Sequence, residues 1–283
     1  MAAFTERTIR TEHGTVSAYD HGAHVAQWVE REVPVVWISK RSEYVADKAL
    51  RGGIPVCWPW FANGPHGDLT PSHGLVRTLA WTLDEHERDR LTWRLSSADL
   101  PEDSRHLFPY EFESTMQVAL RPLALDVSHT VTNVGAQPFD YEIALHTYLH
   151  VGDVRDVRIH GLDGEAYYDK VTGQEATQDG PLQITGEVDS IYQRSGLVEL
   201  LDPTLERVLT IEAQGAGNVV VWNPGPEGAK QMDDFADAEW TQMVCIETAN
   251  IGERAIALDP GASHRTSVTV AVHDLNERTV DNR

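Results

Sequence analysis

The chain is short of positive charge, of sulfur and of uninterrupted apolar sequence. Its 283 residues hold 23 Lys and Arg against 44 Asp and Glu, a formal charge of −21. Nucleic acids and anionic membranes are bound through clustered Lys and Arg, so this balance argues against both as partners. A field of that sign also repels a small anionic ligand, which then needs a local cluster of arginines. There are two cysteines, Cys57 and Cys245, each inside an apolar run (IPVCWPW and QMVCIE). A disulfide between them stays open, but two buried thiols of a reduced compartment are the expected state. No stretch of ~20 apolar residues exists, which excludes a membrane-spanning helix. The opening MAAFTERTIRTEHG is charged throughout and lacks the apolar core of a secretion signal. A soluble cytoplasmic protein is expected.

Convincing amphipathic helices are also scarce; at most a helical turn or two is expected in KQMDDFADAEWTQM (230–243), solvated by its Asp and Glu. No Gly-, Ser- or Pro-rich linker, internal repeat or low-complexity tract divides the chain. A single domain over 1–283 is expected, with a polar tail from about residue 276. The composition, 41% hydrophobic and 24% charged, is ample for a large core.

What is there is alternation. SVTVAVHDL (267–275) places Val268, Val270 and Val272 on one face, and LALDVSHTVTN (123–133) does the same with Leu123, Leu125, Val127, His129 and Val131. LTWRLS, TMQVALRP and NVVVWNP are further short β-rich runs, separated by Gly, Pro, Asn and Asp clusters. LTIEAQGAG followed by NVVVW reads as a hairpin around the glycines. Many strands at short spacing without intervening helices predict an all-β fold, an antiparallel sandwich or barrel.

Familiar catalytic signatures are missing. HTYLH (146–150) has two His four apart, but Thr147 stands where a zinc-protease helix needs Glu, and no metal is expected. RGG at 51–53 is too short for a phosphate or dinucleotide loop and suits a tight turn. No Gly-x-Ser-x-Gly elbow occurs, and no general base stands near Cys57. What remains is a dispersed acid–base set beside apolar runs: His73 in PSHGLVR, His146 in EIALHTYL, Asp189 in EVDSIY and Glu247 in QMVCIETAN. A carboxylate ending an apolar strand is either paired structurally or held at a cleft with a raised pKa. Sequence spacing does not show whether these four converge.

Six blocks carry a resemblance. RGGIPVCWPWF, SHGLVR, LHTYLHVGD, VDSIY, VVWNP and MVCIETAN occur in the order seen in hexose-6-phosphate mutarotases, the glucose-6-phosphate 1-epimerase branch of the aldose 1-epimerase superfamily. The resemblance spans roughly residues 20 to 273. It implies a large antiparallel β-sandwich with the sugar in a cleft on one sheet face, and interconversion of α and β anomers of a hexose 6-phosphate. That reaction opens the pyranose ring, turns the freed aldehyde and recloses it. A base takes the C1 hydroxyl proton while an acid protonates the ring oxygen, with no cofactor required.

By this resemblance Glu247 is the base and His146 the acid. His73 is the second active-site histidine, beside the ring oxygen, and Asp189 binds sugar hydroxyls. Arg51 and Arg77 hold the 6-phosphate, for which a planar guanidinium fork is suited. Ser72 stands where the familiar block has Gln, and Leu75-Val76 replace Phe-Ala, which bears on substrate detail more than on reaction type. Trp222 is equally readable as a cleft face or a core residue, and His150 is not counted as catalytic. The expected partner is a small sugar phosphate, with no nucleic acid and no membrane, on a monomer or weak dimer. Two alternatives stay open: an epimerase of unphosphorylated or other phosphorylated hexoses, and a non-catalytic sugar-phosphate-binding module.

Overall fold

The computed structural model describes residues 4–278. Where the sequence alternates, the chain is extended, and its strands form a 12-stranded sheet, an 8-stranded sheet and a two-stranded ladder. The expected all-β antiparallel sandwich is thus the fold observed. SVTVAVHD lies in the strand Ser263–Asp274, with Val268 and Val270 buried and Val272 packed beside them, and Leu275 opens the short helix that follows. LALDVSHTVTN lies in Ala124–Asn133, with Leu125, Val127, His129 and Val131 buried. Leu123 is not on that strand. Arg121 pairs with Ala124, so Pro122 and Leu123 form a two-residue turn, and Leu123 takes φ +57°.

These strands adjoin in the 8-stranded sheet. Trp93, Met116, Leu125 and Val268 from that sheet meet Trp28, Val221, Val244 and Ile246 from the larger one in a single apolar cluster. Each such side chain, taken from water to full burial, contributes roughly 1.5–3 kcal/mol, and this layer holds the sandwich together.

The expected hairpin around Gly215 and Gly217 is not formed. Arg207–Gln214 pairs with Leu197–Asp202 and Ser263–Asp274 in the smaller sheet, whereas Asn218–Asn223 pairs with Val188–Tyr192 and Met243–Asn250 in the larger. The glycines pass the chain between sheets. At φ +66°, Gly215 lies so close to its neighbour that a Cβ would stand 2.0 Å from the Arg265 carbonyl oxygen.

The segment 230–243 holds one short 3₁₀ helix, Glu239–Gln242. Glu239 is buried rather than solvating, accepting from Ser39 Oγ at 2.8 Å and Lys40 N at 3.0 Å. Of the tail expected from about residue 276, Leu275–Arg278 is a short helix and residues 279–283 lie outside the described residues. At the other end Glu6–Thr11 is a strand, and residues 1–3 lie outside. Among the described residues no helix is long and apolar enough to cross a membrane. Cys57 and Cys245 are free and buried.

One strand fixes where the chemistry falls. Every residue of Met243–Asn250 is buried, because both of its faces are covered. Val244 and Ile246 enter the layer between the sheets. Met243, Cys245 and Ala249 point the other way, under Trp37, Phe61, Ala229 and Phe235 from the segments that overlie the sheet. Glu247 shares that second face.

Candidate active site

Register sets His146 against Glu247. Leu145 pairs with Thr248 and Tyr148 with Cys245, so one register runs through the interruption between them and places His146 opposite Glu247. His146 Nε2 lies 3.3 Å from Glu247 Oε1. Both residues are buried, and burial disfavours charge on each. It pushes the Glu247 carboxyl well above the usual range, with the charge of Asp189 adding to the rise and Lys170 opposing it. It pushes His146 well below the usual imidazole range, with His73, Arg51 and Arg77 adding to the fall. The resting proton of the pair therefore belongs to Glu247, which donates it to His146 Nε2. Glu247 Oε2 and His146 Nδ1 make no hydrogen bond within the protein.

The segment SHGLVR is pinned against CWPWF. His73 N donates to Ala62 O at 2.6 Å and Leu75 N to Trp58 O at 2.9 Å. His73 itself takes φ +63°, and Ala62 N donates to its Nδ1 at 3.2 Å. Burial, followed by the charges of Arg77, Lys170 and Arg51, holds His73 down at about 3. It is therefore neutral with Nδ1 accepting, so Nε2 carries the hydrogen and is a donor. Its ring centre lies 5.6 Å from that of His146.

Arg51, Ser72, His73, Arg77, His146 and Tyr148 line one cavity of about 530 Å³, with Asp233, Asp234, Lys48 and Glu43 at its edge. The two arginines differ in what they touch. Arg51 Nε donates to Asp234 at 3.1 Å and Nη1 to Tyr148 Oη at 3.2 Å. Lys48 is likewise paired, with Glu43. Arg77, in the 3₁₀ turn Val76–Thr78, donates to the Ser72 carbonyl at 2.7 Å, and no carboxylate among the described residues pairs with it. Burial presses its pKa down. A half-buried guanidinium without counter-charge is an anion site by its chemistry.

Asp189 is not among the residues lining that cavity. It pairs with Trp222, one strand beyond the partner of Glu247, and Lys170 Nζ holds its carboxylate at 2.6 Å. Trp222 is half-buried on the site face, its ring 6.1 Å from His146. His150, at the end of Tyr148–His150, does not line the cavity. Among the described residues no group of three His, Cys, Asp or Glu side chains could hold a metal ion.

The sequence of this chain matches the family model of aldose 1-epimerase over residues 7–271. The chain belongs to the aldose 1-epimerase family. It is 32% identical over 266 residues to a protein of Cenchrus ciliaris named "Putative glucose-6-phosphate 1-epimerase", covering 89% of this chain and 80% of that one. An Escherichia coli protein of the same name is 32% identical over 240 residues, 82% of this chain and 78% of its own. A solved structure titled a "putative mutarotase" from Salmonella typhimurium superposes with TM-score 0.85 at 28% identity, covering 94% of this chain and 90% of that chain. The resemblance read from the six motif blocks holds, and with it comes interconversion of sugar anomers as the family's reaction.

Three residues escape motif reading: Tyr148 and Asp234, which line the candidate site, and Lys170, which holds Asp189. Tyr148 had a signal, since it lies two residues from His146 on the same strand face. Asp234 pairs with Arg51, far away in the chain, and Lys170 with Asp189 at the end of a neighbouring strand; neither had one.

Proposed function

We propose that the protein interconverts the α and β anomers of a hexose 6-phosphate, D-glucose 6-phosphate foremost. The observation that carries this reading is that His146 lines a cavity together with the counter-ion-free Arg77 and meets the buried Glu247 behind it at 3.3 Å. Once the shared proton has passed from Glu247 to His146, the Glu247 carboxylate takes the C1 hydroxyl proton and the His146 imidazolium delivers a proton to the ring oxygen, breaking the C1–O5 bond. Rotation about C1–C2 and the reverse transfers close the ring on the other face of the aldehyde. The Nε2–H of His73 steadies charge on the ring oxygen, while Arg51 and Arg77 hold the phosphate. Ser72 and Asp189 serve the sugar hydroxyls, Asp189 in company with Lys170.

Anomer exchange followed by NMR tests this reading. Wild type accelerates equilibration of glucose 6-phosphate, and Glu247→Gln or His146→Ala lowers kcat by about 10²–10⁴. Equilibration no faster than in buffer alone overturns it. A second reading, an epimerase of unphosphorylated hexoses, draws support from the carboxylates already on Arg51 and Lys48. The ratio of kcat/KM for glucose 6-phosphate and glucose decides between them.

A further inference from the structure

A single chain of contacts joins the arginine end of the cavity to the proton-transfer pair. Arg51 Nη1 donates to Tyr148 Oη at 3.2 Å, and the Tyr148 ring lies nearly parallel to the His146 imidazole, 4.8 Å between centres and 13° between planes. His146 meets Glu247 at 3.3 Å. We infer that a phosphate-class dianion held by Arg51 and Arg77 activates proton transfer as well as anchoring the sugar, and that Tyr148 is the positioning residue that couples the two. The inference rests on the hexose-phosphate reading above.

The coupling is electrostatic, and Tyr148 sets it by tying the Arg51 guanidinium through its hydroxyl to the ring that stacks on His146. His146 is faced by Glu247 on the adjacent strand, by His73 from the SHGLVR segment, by Tyr148 two residues on and by Trp222 beyond. Arg51 and Arg77 are the cations that act on it, and Asp189 and Lys170 act on Glu247 behind it. Burial first, then His73 and the charges of Arg51 and Arg77, leave the pair at rest as carboxyl and neutral imidazole, in which neither partner is ready for its part. A dianion on the arginines removes their share of what opposes an imidazolium and adds negative charge that favours one. The proton then passes from Glu247 Oε1 to His146 Nε2; one O–H bond breaks, one N–H bond forms, and nothing is exchanged with solvent. The result is a carboxylate base beside an imidazolium acid, the arrangement that ring opening requires. Interactions realised in the reacting state raise kcat, whereas a pure anchor lowers only KM.

D-Xylose, which lacks the C6 group, leaves room for a separate dianion and supplies the test. Its enzyme-dependent anomer exchange is measured at neutral pH with rising inorganic phosphite, subtracting the enzyme-free rate at each concentration because phosphite itself catalyses mutarotation. The expected result is a saturable rise of at least about tenfold in kcat. In Tyr148→Phe, which keeps the ring and loses the hydroxyl, the ratio of rates with and without phosphite falls toward one. Phosphite that leaves xylose exchange unchanged, or only inhibits it, overturns activation. A full ratio in Tyr148→Phe overturns the role of Tyr148; should that variant not fold, Tyr148→Leu, which also loses the hydroxyl, reads the same ratio at saturating phosphite. If glucose 6-phosphate is equilibrated but phosphite does not activate, this inference fails alone; if glucose 6-phosphate is not equilibrated, the underlying reading fails.

Discussion

At the scale of single residues, the two arginines of the cavity make opposite predictions for stability and similar ones for binding. Arg51 answers Asp234 and Tyr148, so its removal leaves a carboxylate without its cation. Arg77 has only a backbone carbonyl, so its removal relieves a half-buried charge. Arg51→Ala therefore lowers Tm, and Arg77→Ala holds or raises it, as thermal melts will read. Each substitution raises KM for glucose 6-phosphate by about 10- to 100-fold, the worth of one charge-assisted contact, while KM for free glucose changes far less. Equal changes for both sugars would show that neither arginine reads phosphate. His73 is a residue whose type was legible in the sequence but whose state was not. Its tautomer is set by the Ala62 amide, a contact made only when two loops meet.

At the scale of elements, SHGLVR depends on how closely it approaches CWPWF. Gly74 has φ +79°, and a Cβ there would stand 2.0 Å from the Trp58 carbonyl oxygen, a backbone atom with nowhere to go. Gly74→Ala is expected to cost ~2 kcal/mol or more and to lower activity by displacing His73 and Arg77. Gly67 is the control, with φ +75° and nothing within 4 Å of an added Cβ. Gly67→Ala carries only the backbone strain, about 1 kcal/mol, with KM unchanged. Urea denaturation compares the two, and equal losses would deny that close approach governs the segment. The same distinction explains what the sequence could tell. Strands such as Ser263–Asp274 were legible because a period of two is local. The sheet to which Asn218–Asn223 belongs was not, since Gly215 turns on contact with Arg265, distant in the chain. Glu247 and His146 were legible as members of motif blocks, but their facing follows from the pairing of Leu145 with Thr248. Asp234 and Lys170 owe their places to tertiary ion pairs that no local pattern encodes.

At the scale of the whole molecule, an acidic surface overlies an interior that keeps its histidines neutral. His24 and His129 are each 1% exposed, and burial holds both down at about 3. His129 Nε2 is satisfied by Ser114 Oγ at 2.6 Å, a partner that does not require charge. In the unfolded chain these imidazoles protonate near pH ~6.5, so below that point the unfolded state binds protons that the folded state refuses. Their contribution is whole above the unfolded pKa and falls as pH drops from there toward about 3, where the folded histidines protonate too. The two together remove about 2.7 kcal/mol per pH unit once the unfolded histidines are charged. Unfolded carboxylates titrate nearer pH ~4, which leaves the interval from about 6 to 5 as a window where histidine dominates. Glu247 acts in the opposite sense, since its raised folded pKa favours the native state as pH falls toward the carboxylate range. Glu30 and Asp189 act in the same sense as Glu247, but these carboxyls are outnumbered by the histidines, since burial holds His21, His73, His146, His150 and His264 down beside His24 and His129. Chemical denaturation across that window is expected to show a steep loss of stability well before the ordinary carboxylates of the unfolded chain titrate. His129→Gln, which fills the space with an uncharged amide able to meet Ser114, lowers the slope by about 1.4 kcal/mol per pH unit. A wild-type stability that stays flat through the window, or a slope unmoved by that substitution, would mean that the core admits protons the buried geometry says it refuses.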